Sequence, residues 1–257
     1  MLNARRFIIA TLGALGVMSF GAIAQTDFPT RPVKIIVPFG PGGAADTLPR
    51  LVGQRLTEMW GQTVLVENRT GAAGNIGMEA GAKAAPDGYT LTSAPVGNLA
   101  INPHLYSKLT FDVFKDFTPI TLIASVQNVL VVNPNVPANT LAALVAYAKA
   151  NPNKLTYASG GNGTQAHMGG ELLKSMGGIE LVHVPYKGVG DAVKDLLGGQ
   201  TSMMVAQLPS VLPHIQAGKL RALGVASAKP LSSLPNVPTI AEAGPMPGYE
   251  AVSWYAL

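Results

Sequence analysis

The sequence predicts an α/β chain folded as two lobes, and three observations carry that expectation. A β-branched run, a turn rich in Gly and Pro and a helical stretch recur in that order along the chain. An extended stretch over residues 120–132 is too long for one ordinary strand, which suggests a segment passing between two lobes. The 257 residues, 47% hydrophobic and 12% charged, are enough for one large domain or two ordinary ones with filled cores. Gly 29 and Pro 20 are spread without a period, which excludes collagen-like order. The formal charge of +4 is not gathered into a basic run, so no nucleic-acid footprint is present.

The elements follow in order. Arg5 and Arg6 precede an apolar run from Phe7 to Phe20, and Ala22-Ile23-Ala24 is a small-x-small site. That order reads as a secretory signal peptide cleaved after Ala24, and the run is shorter than the ~20 residues that a bilayer span needs. With Cys 0 there is no disulfide, thiolate metal site or catalytic cysteine, and an exported chain without disulfides points to a bacterial periplasm.

Val33 to Val37 reads as a buried strand, Pro38 to Gly43 as a loop, and Asp46 to Trp60 as a helix with Leu48, Leu51, Val52, Leu56 and Met59 on its packing face. Pro49 is expected to delay or kink that helix. Thr63 to Glu67 is the next strand, Asn75 caps a helix ending before Pro86, and Tyr89 to Ser93 is a third strand. This βαβαβ run favours a parallel sheet with helices on both faces. Beyond the extended crossing, the pattern predicts a helix over Thr140 to Ala150, a strand over Leu155 to Ala158, a Gly-rich turn and a helix reaching Met176. Strands at Leu181 to Tyr186, Ser202 to Ala206 and Leu220 to Ala226 alternate with helices at Asp191 to Leu197 and Val211 to Ala217. That is a second α/β lobe.

Three loops carry candidate chemistry. Gly40, Gly42 and Ala45 fit a G-x-G-x-x-A dinucleotide fingerprint, with Glu67 ending the next strand, but Pro38 and Pro41 stiffen the turn. The broader reading is a small-anion cradle, in which glycines let backbone amides approach a ligand and a helix N-terminus presents free N–H groups. Ser159 to Thr164 again ends a strand and opens a helix, and Tyr186-Lys187-Gly188 ends the strand after that. Ligands of open α/β sheets bind at such carboxyl ends. His104, His167, His183 and His214 have no close metal-ligand spacing and read as structural or exposed. A binding module for a small carboxylate therefore stands beside two alternatives, an exported enzyme acting on such a compound and a dinucleotide oxidoreductase. The lack of a nucleophile–base constellation separates the first from the others.

Distinctive segments run along the whole chain, beginning with Phe28-Pro29-Thr30-Arg31-Pro32-Val33, Val37-Pro38-Phe39 with Pro41-Gly42-Gly43 and Asp46, Val66-Glu67-Asn68-Arg69 and Gly74-Asn75-Ile76-Gly77. Pro86-Asp87-Gly88-Tyr89-Thr90, Gly161-Asn162-Gly163-Thr164, His183-Val184-Pro185-Tyr186-Lys187-Gly188 and Leu196-Leu197-Gly198-Gly199-Gln200 continue the series. Together these segments resemble the Bug-type extracytoplasmic solute receptors of tripartite tricarboxylate transporters. The resemblance implies a receptor of the type II periplasmic-binding-protein architecture, each lobe a mainly parallel sheet flanked by helices, closing over a small carboxylate. It implies no enzyme activity, cofactor or metal, a monomer, and partners among the membrane components of a tripartite tricarboxylate-type transporter.

Carried over position by position, it points to Phe39, Pro41, Gly42, Gly43 and Asp46 on one lobe. On the other it points to Ser159, Asn162, Gly163, Thr164, Tyr186, Lys187 and Gln207. Gln165-Ala166-His167 and Ala206-Gln207 depart from the family's usual Ser-Gln-His and Asp-Asn, which leaves the ligand's identity open. Asp46 is expected either to cap its helix or to meet an ammonium group of the ligand. The implied organisation is a signal peptide over 1–24, a first lobe over 25–124 with 249–257, and a second lobe over 125–248. The family usually continues past a strand like the one ending at Leu257, so a truncated record is expected.

Overall fold

The computed structural model describes residues 28–257, and the expected signal peptide lies outside them. Residues 31–257 form one compact unit. Its first sheet takes β1 (Val33–Val37), β2 (Val64–Asn68) and β3 (Thr90–Thr92) in the order β2-β1-β3, all parallel. The helices α1 (Ala44–Trp60) and α2 (Asn75–Ala82) make the two crossovers.

Two details of this half differ from the sequence expectation. The packing face of α1 keeps Leu48, Val52 and Leu56, each half-buried, but not Leu51 and Met59, which are 59% and 65% exposed. The same face seats on Ala45, Pro49 and Gly53, which are buried, and a Cβ on Gly53 would lie 3.2 Å from Val64 and 3.5 Å from Val66. Small residues let the helix lie close to the sheet, and Leu51 and Met59 fall outside that contact. Pro49 sits inside the helix without delaying its start at Ala44. Asn75 is the first residue of α2 rather than its cap, and its side chain turns inward to accept from Asn102 Nδ2 at 2.6 Å and Asn98 Nδ2 at 3.3 Å.

The expected crossing is two strands, β5 (Leu122–Val126) and β6 (Asn128–Val132), that part at Gln127. The strand β5 joins β4 (Ala94–Pro95) and β11 (Ser253–Ala256) in an antiparallel sheet ordered β4-β11-β5. The strand β6 enters a five-stranded sheet with β7 (Thr156–Ser159), β8 (Val182–Pro185), β9 (Met203–Gln207) and β10 (Arg221–Val225), in the order β10-β6-β9-β7-β8. Pairs β7–β8 and β7–β9 are parallel, as helix crossovers require, while β6 arrives from the other lobe and runs antiparallel to both β9 and β10.

The strand β6 is buried at every position. Leu130, Val132, Met203 and Val205 face one core, and Val129, Val131, Met204 and Ala206 face the other, so strand alternation makes a two-sided interior. Helices cover both faces. Between β4 and β5 lie a π turn (Gly97–Ile101) and α3 (Asn102–Leu105). Then come α4 (Leu141–Ala150), α5 (Gln165–Gly177), α6 (Val189–Leu197), α7 (Leu208–Gln216) and α8 (Ile240–Ala243). Thr140 caps α4 by accepting from Ala143 N–H, which accounts for the sharp start read from the sequence. The segment 94–105 carried no expected element, because short strands and a π turn lack a usable period.

Candidate functional site

The carboxyl ends of β1 and β7 face a common cleft. The loop after β1 brings Phe39, Gly40, Gly43 and Ala45 to its wall, and the loop after β7 brings Gly160, Gly163, Thr164, Gln165 and Ala166. Ala73, Pro95, Val96 and Gly97 close one side, and Met204, Val205, Gln207, Ser253 and Tyr255 lie along the floor with Asn128. The cleft encloses about 670 Å³ including its open mouth. None of its lining residues is an Asp, Glu, Lys or Arg.

Two helix N-termini meet here. Gly43 is the N-cap of α1, and Thr164 is the N-cap of α5. Thr164 Oγ1 donates to Gly161 O at 2.7 Å and accepts from His167 N–H at 3.4 Å, closing the loop onto its helix. First-turn amides have no intrahelical partner, and each terminus carries about half a positive charge. At α1, Ala44 N–H donates to Gln207 Oε1 at 3.2 Å, and Gln207 Nε2 donates to Tyr255 Oη. Gln207 thus links the end of β9 to both α1 and β11, and burial pushes the Tyr255 phenol up so that it stays protonated.

The loops approach closely because side chains are missing where they meet. A Cβ on Gly97 would lie 2.7 Å from Gly163 O, and Gly163 itself has φ +86 with Asn102 Oδ1 2.2 Å from its Cβ position. A side chain at either position would have to push backbone or a buried amide aside. Ala73 also takes the left-handed region, φ 51, ψ 39, and its carbonyl accepts from Asn98 Nδ2 at 3.0 Å and Asn102 Nδ2 at 3.4 Å. The buried asparagines hold a strained residue at the cleft wall.

Of the residues singled out from the sequence, Phe39, Gly43, Gly163, Thr164 and Gln207 line this cleft. Pro41, Gly42, Asp46, Ser159, Asn162, Tyr186 and Lys187 are not among its lining residues. Pro41 and Gly42 are exposed, and Gly42, at φ +94, belongs to a separate groove beside Lys194 and His214. The left-handed residue of this loop is Gly42, whereas Gly43 is extended at φ −100.

Asp46 is 4% exposed, and its Oδ1 accepts from Arg50 Nε at 3.0 Å, from Arg50 Nη2 at 2.8 Å and from Asn68 Nδ2 at 2.8 Å. Burial alone would raise its pKa, but the hydrogen bonds from Arg50 and Asn68 outweigh it and hold the carboxyl below its ordinary range. Asn68 Nδ2 also reaches Phe39 O at 2.8 Å, so the cluster braces the first loop from behind.

Ser159 is fully buried behind the second loop, with Oγ 2.6 Å from His183 Nε2. Asn162 offers its carbonyl to Tyr106 Oη at 3.0 Å. Tyr186 donates to Asp195 at 2.8 Å, and burial together with that carboxylate pushes its phenol up to about 12. Lys187 is exposed.

The lining residues that sequence reasoning missed come mainly from segments without a chemical motif. Pro95 to Gly97 and Met204 to Val205 are apolar or small, and only the fold brings them to the cleft. Ser253 and Tyr255 had a usable signal, since alternate residues of the returning strand share one face.

The sequence pattern of the family described as "Tripartite tricarboxylate transporter family receptor" matches residues 48–257. The chain is 41% identical to Protein BugT of Bordetella pertussis over 239 residues, 91% of this chain and 72% of BugT. It is 38% identical to a UPF0065 protein in the tcbD-tcbE intergenic region of Pseudomonas sp. strain P51, covering 96% of this chain and 76% of the relative. Among solved structures, Rpa4515 of R. palustris with adipate superposes with a TM-score of 0.86 at 41% identity, covering 89% of this chain and 76% of that one. MatC from Rhodopseudomonas palustris with bound malate does so with a TM-score of 0.84 at 32% identity, covering 89% and 78%. The periplasmic binding protein BugD gives 0.84 at 35% identity, covering 89% and 76%. On this sequence match and these superpositions, the chain belongs to the tripartite tricarboxylate transporter receptor family, among its Bug-type members.

Proposed function

We propose that this chain is a periplasmic solute receptor that holds a small carboxylate in the inter-lobe cleft and delivers it to a tripartite tricarboxylate-type transporter. The observation that carries this reading is the pairing of two helix N-termini, at Gly43 and Thr164, across a cleft whose wall holds no charged side chain. Backbone dipoles and amides can bind a carboxylate without a fixed cation, and an uncharged wall leaves the ligand's own charge to be met by them. Adipate and malate in the related structures support the same ligand class. Gly43 and the first-turn amides of the two helices would present donors to the carboxylate, with Gly163 and Thr164 shaping the loop that carries them. Phe39 would cover the ligand's body, and Gln207 would join the two lobes beneath it. Export would follow cleavage after Ala24, and the receptor would act as a monomer.

Thermal unfolding against a panel of adipate, malate, benzoate and glutamate tests the reading. A ligand at 100-fold over its Kd adds about 2.7 kcal/mol, worth roughly 5–10 °C in Tm for a chain of this size. At least one carboxylate is expected to shift Tm in a concentration-dependent manner. A flat response across the panel, with NAD raising Tm instead, would reinstate the dinucleotide alternative.

A further inference from the structure

Behind the second-lobe loop, outside the cleft wall, two imidazoles lie face to face. The rings of His167 and His183 are 4.3 Å apart at 29°, and each grips one end of the loop. His167 is the third residue of α5, and its Nδ1 accepts from Gly163 N–H at 3.1 Å. This is the geometry of a capping box displaced by one residue, with imidazole in the place of the usual Glu or Gln. His183 Nε2 meets Ser159 Oγ at 2.6 Å, and Ser159 Oγ accepts from Gly161 N–H at 3.1 Å. Gly163, held by His167, lines the cleft and abuts Gly97 of the opposite wall.

We infer that His167 is a positioning residue of the cleft, holding the Gly163 amide and its loop in the binding arrangement only while its imidazole is neutral. The inference rests on the receptor reading above and adds control by acidity. A neutral imidazole has one acceptor nitrogen, whereas the imidazolium has none, so protonation turns Nδ1 into a donor facing the donor it now holds. It also places a positive charge in the first turn of α5, where the helix dipole opposes it.

The other titratable groups around the pair are Tyr157 on β7 and Glu171 and Lys174 on α5. Tyr157 stacks on His183 at 4.7 Å and donates to Glu171. Lys174 Nζ reaches Glu171 Oε1 at 2.9 Å and Oε2 at 3.0 Å, so the nearby carboxylate is already engaged. Burial keeps His167 below its ordinary 6.5, with Glu171 opposing the shift and Lys174 adding to it.

The test uses adipate as the probe, titrated calorimetrically at pH 7.5 and pH 5.5, beside NMR of the Gly163 amide. His167→Ala should weaken adipate about tenfold at pH 7.5, the loss expected for one backbone hydrogen bond. His167→Gln, which restores an acceptor that does not titrate, should recover most of that loss. Wild type should then weaken more than His167→Gln on acidification. Ionisation of adipate is common to both proteins, so the ratio of their affinities isolates the imidazole. The Gly163 amide resonance should follow the His167 ring titration. Identical pH dependence in wild type and His167→Gln would overturn the inference. So would a Gly163 resonance indifferent to that titration, which can be read even if adipate fails to bind. Failure of the whole carboxylate panel, with Gly163 still following His167, would count against the receptor reading alone.

Discussion

Replacing Asp46 with Asn separates a brace from a ligand contact. Asp46 lies almost wholly out of water, and its Oδ1 gathers Arg50 and Asn68 behind the loop that carries Phe39 and Gly43. Asn keeps one acceptor but loses the charge. A hydrogen bond to a charged group contributes about 1.5–3 kcal/mol against about 1 for a neutral one, and a first-turn carboxylate adds about 0.3–1 from the helix dipole. The Arg50 side chain is 47% exposed, which screens its share, so Asp46→Asn should cost about 1–2 kcal/mol or roughly 2–8 °C in Tm.

The pH dependence has a definite sign. The folded pKa lies below the ordinary 3.8, so the contribution is present above that value and is lost as pH falls through the folded pKa. The gap in Tm between wild type and variant should therefore close in acid. Thermal unfolding by circular dichroism at pH 7 and pH 3 measures the gap, and calorimetry with adipate and glutamate measures binding. A brace predicts equal losses for the two ligands. Selective loss of glutamate with an unchanged Tm would refute the reasoning and put the Asp46 carboxylate on the ligand's ammonium group.

Four further outcomes are expected. Gly97→Ala should stay folded yet weaken carboxylate binding by about tenfold or more, since its Cβ would meet Gly163 O at 2.7 Å; unchanged calorimetric affinity would show that the loops do not close on each other. Thr164→Ala should cost about 1 kcal/mol of stability through loss of its cap, with Thr164→Ser recovering most of it in urea unfolding. Asn128 Nδ2 ties the two crossings by donating to Ala251 O at 2.7 Å and Ser253 Oγ at 3.1 Å, so β5 and β11 should hinge together; equal scattering radii with and without saturating ligand would argue against it. His183 is depressed from 6.5 to about 4 by burial and by His167, so it stabilises the fold fully above pH 6.5 and progressively less toward pH 4; His183→Gln should flatten that part of the acid-unfolding profile.

The local elements were legible because their signals are local. Val33-Lys34-Ile35-Ile36-Val37, Thr140 before an apolar run, and the Gly-rich turn after Ala158 each carry their own strand, cap or loop chemistry, and each element lies within a few residues of its expected place. On α1, Leu48, Val52 and Leu56 are half-buried as their spacing predicts, while Leu51 and Met59 look like core until Gly53 is seen to bring the helix close to β1 and β2. Asn75 looked like a cap because nothing near it in sequence announces Asn98 and Asn102, its actual partners.

The sequence by itself determined the α/β class, the order of the elements, and which two loops end strands and open helices, because hydrophobic period, turn residues and caps act over a few positions. It also bounded the chemistry, through glycines and a threonine at helix N-termini. Only the tertiary structure decided which side chains reach the cleft. Gln207 was marked, yet its place between Ala44 and Tyr255 depends on contacts 163 and 48 residues away. Asp46, Ser159 and Tyr186 carry the right chemistry but spend it on Arg50, His183 and Asp195, because a buried polar group takes the nearest partner that satisfies it, and sequence distance does not say which partner that is.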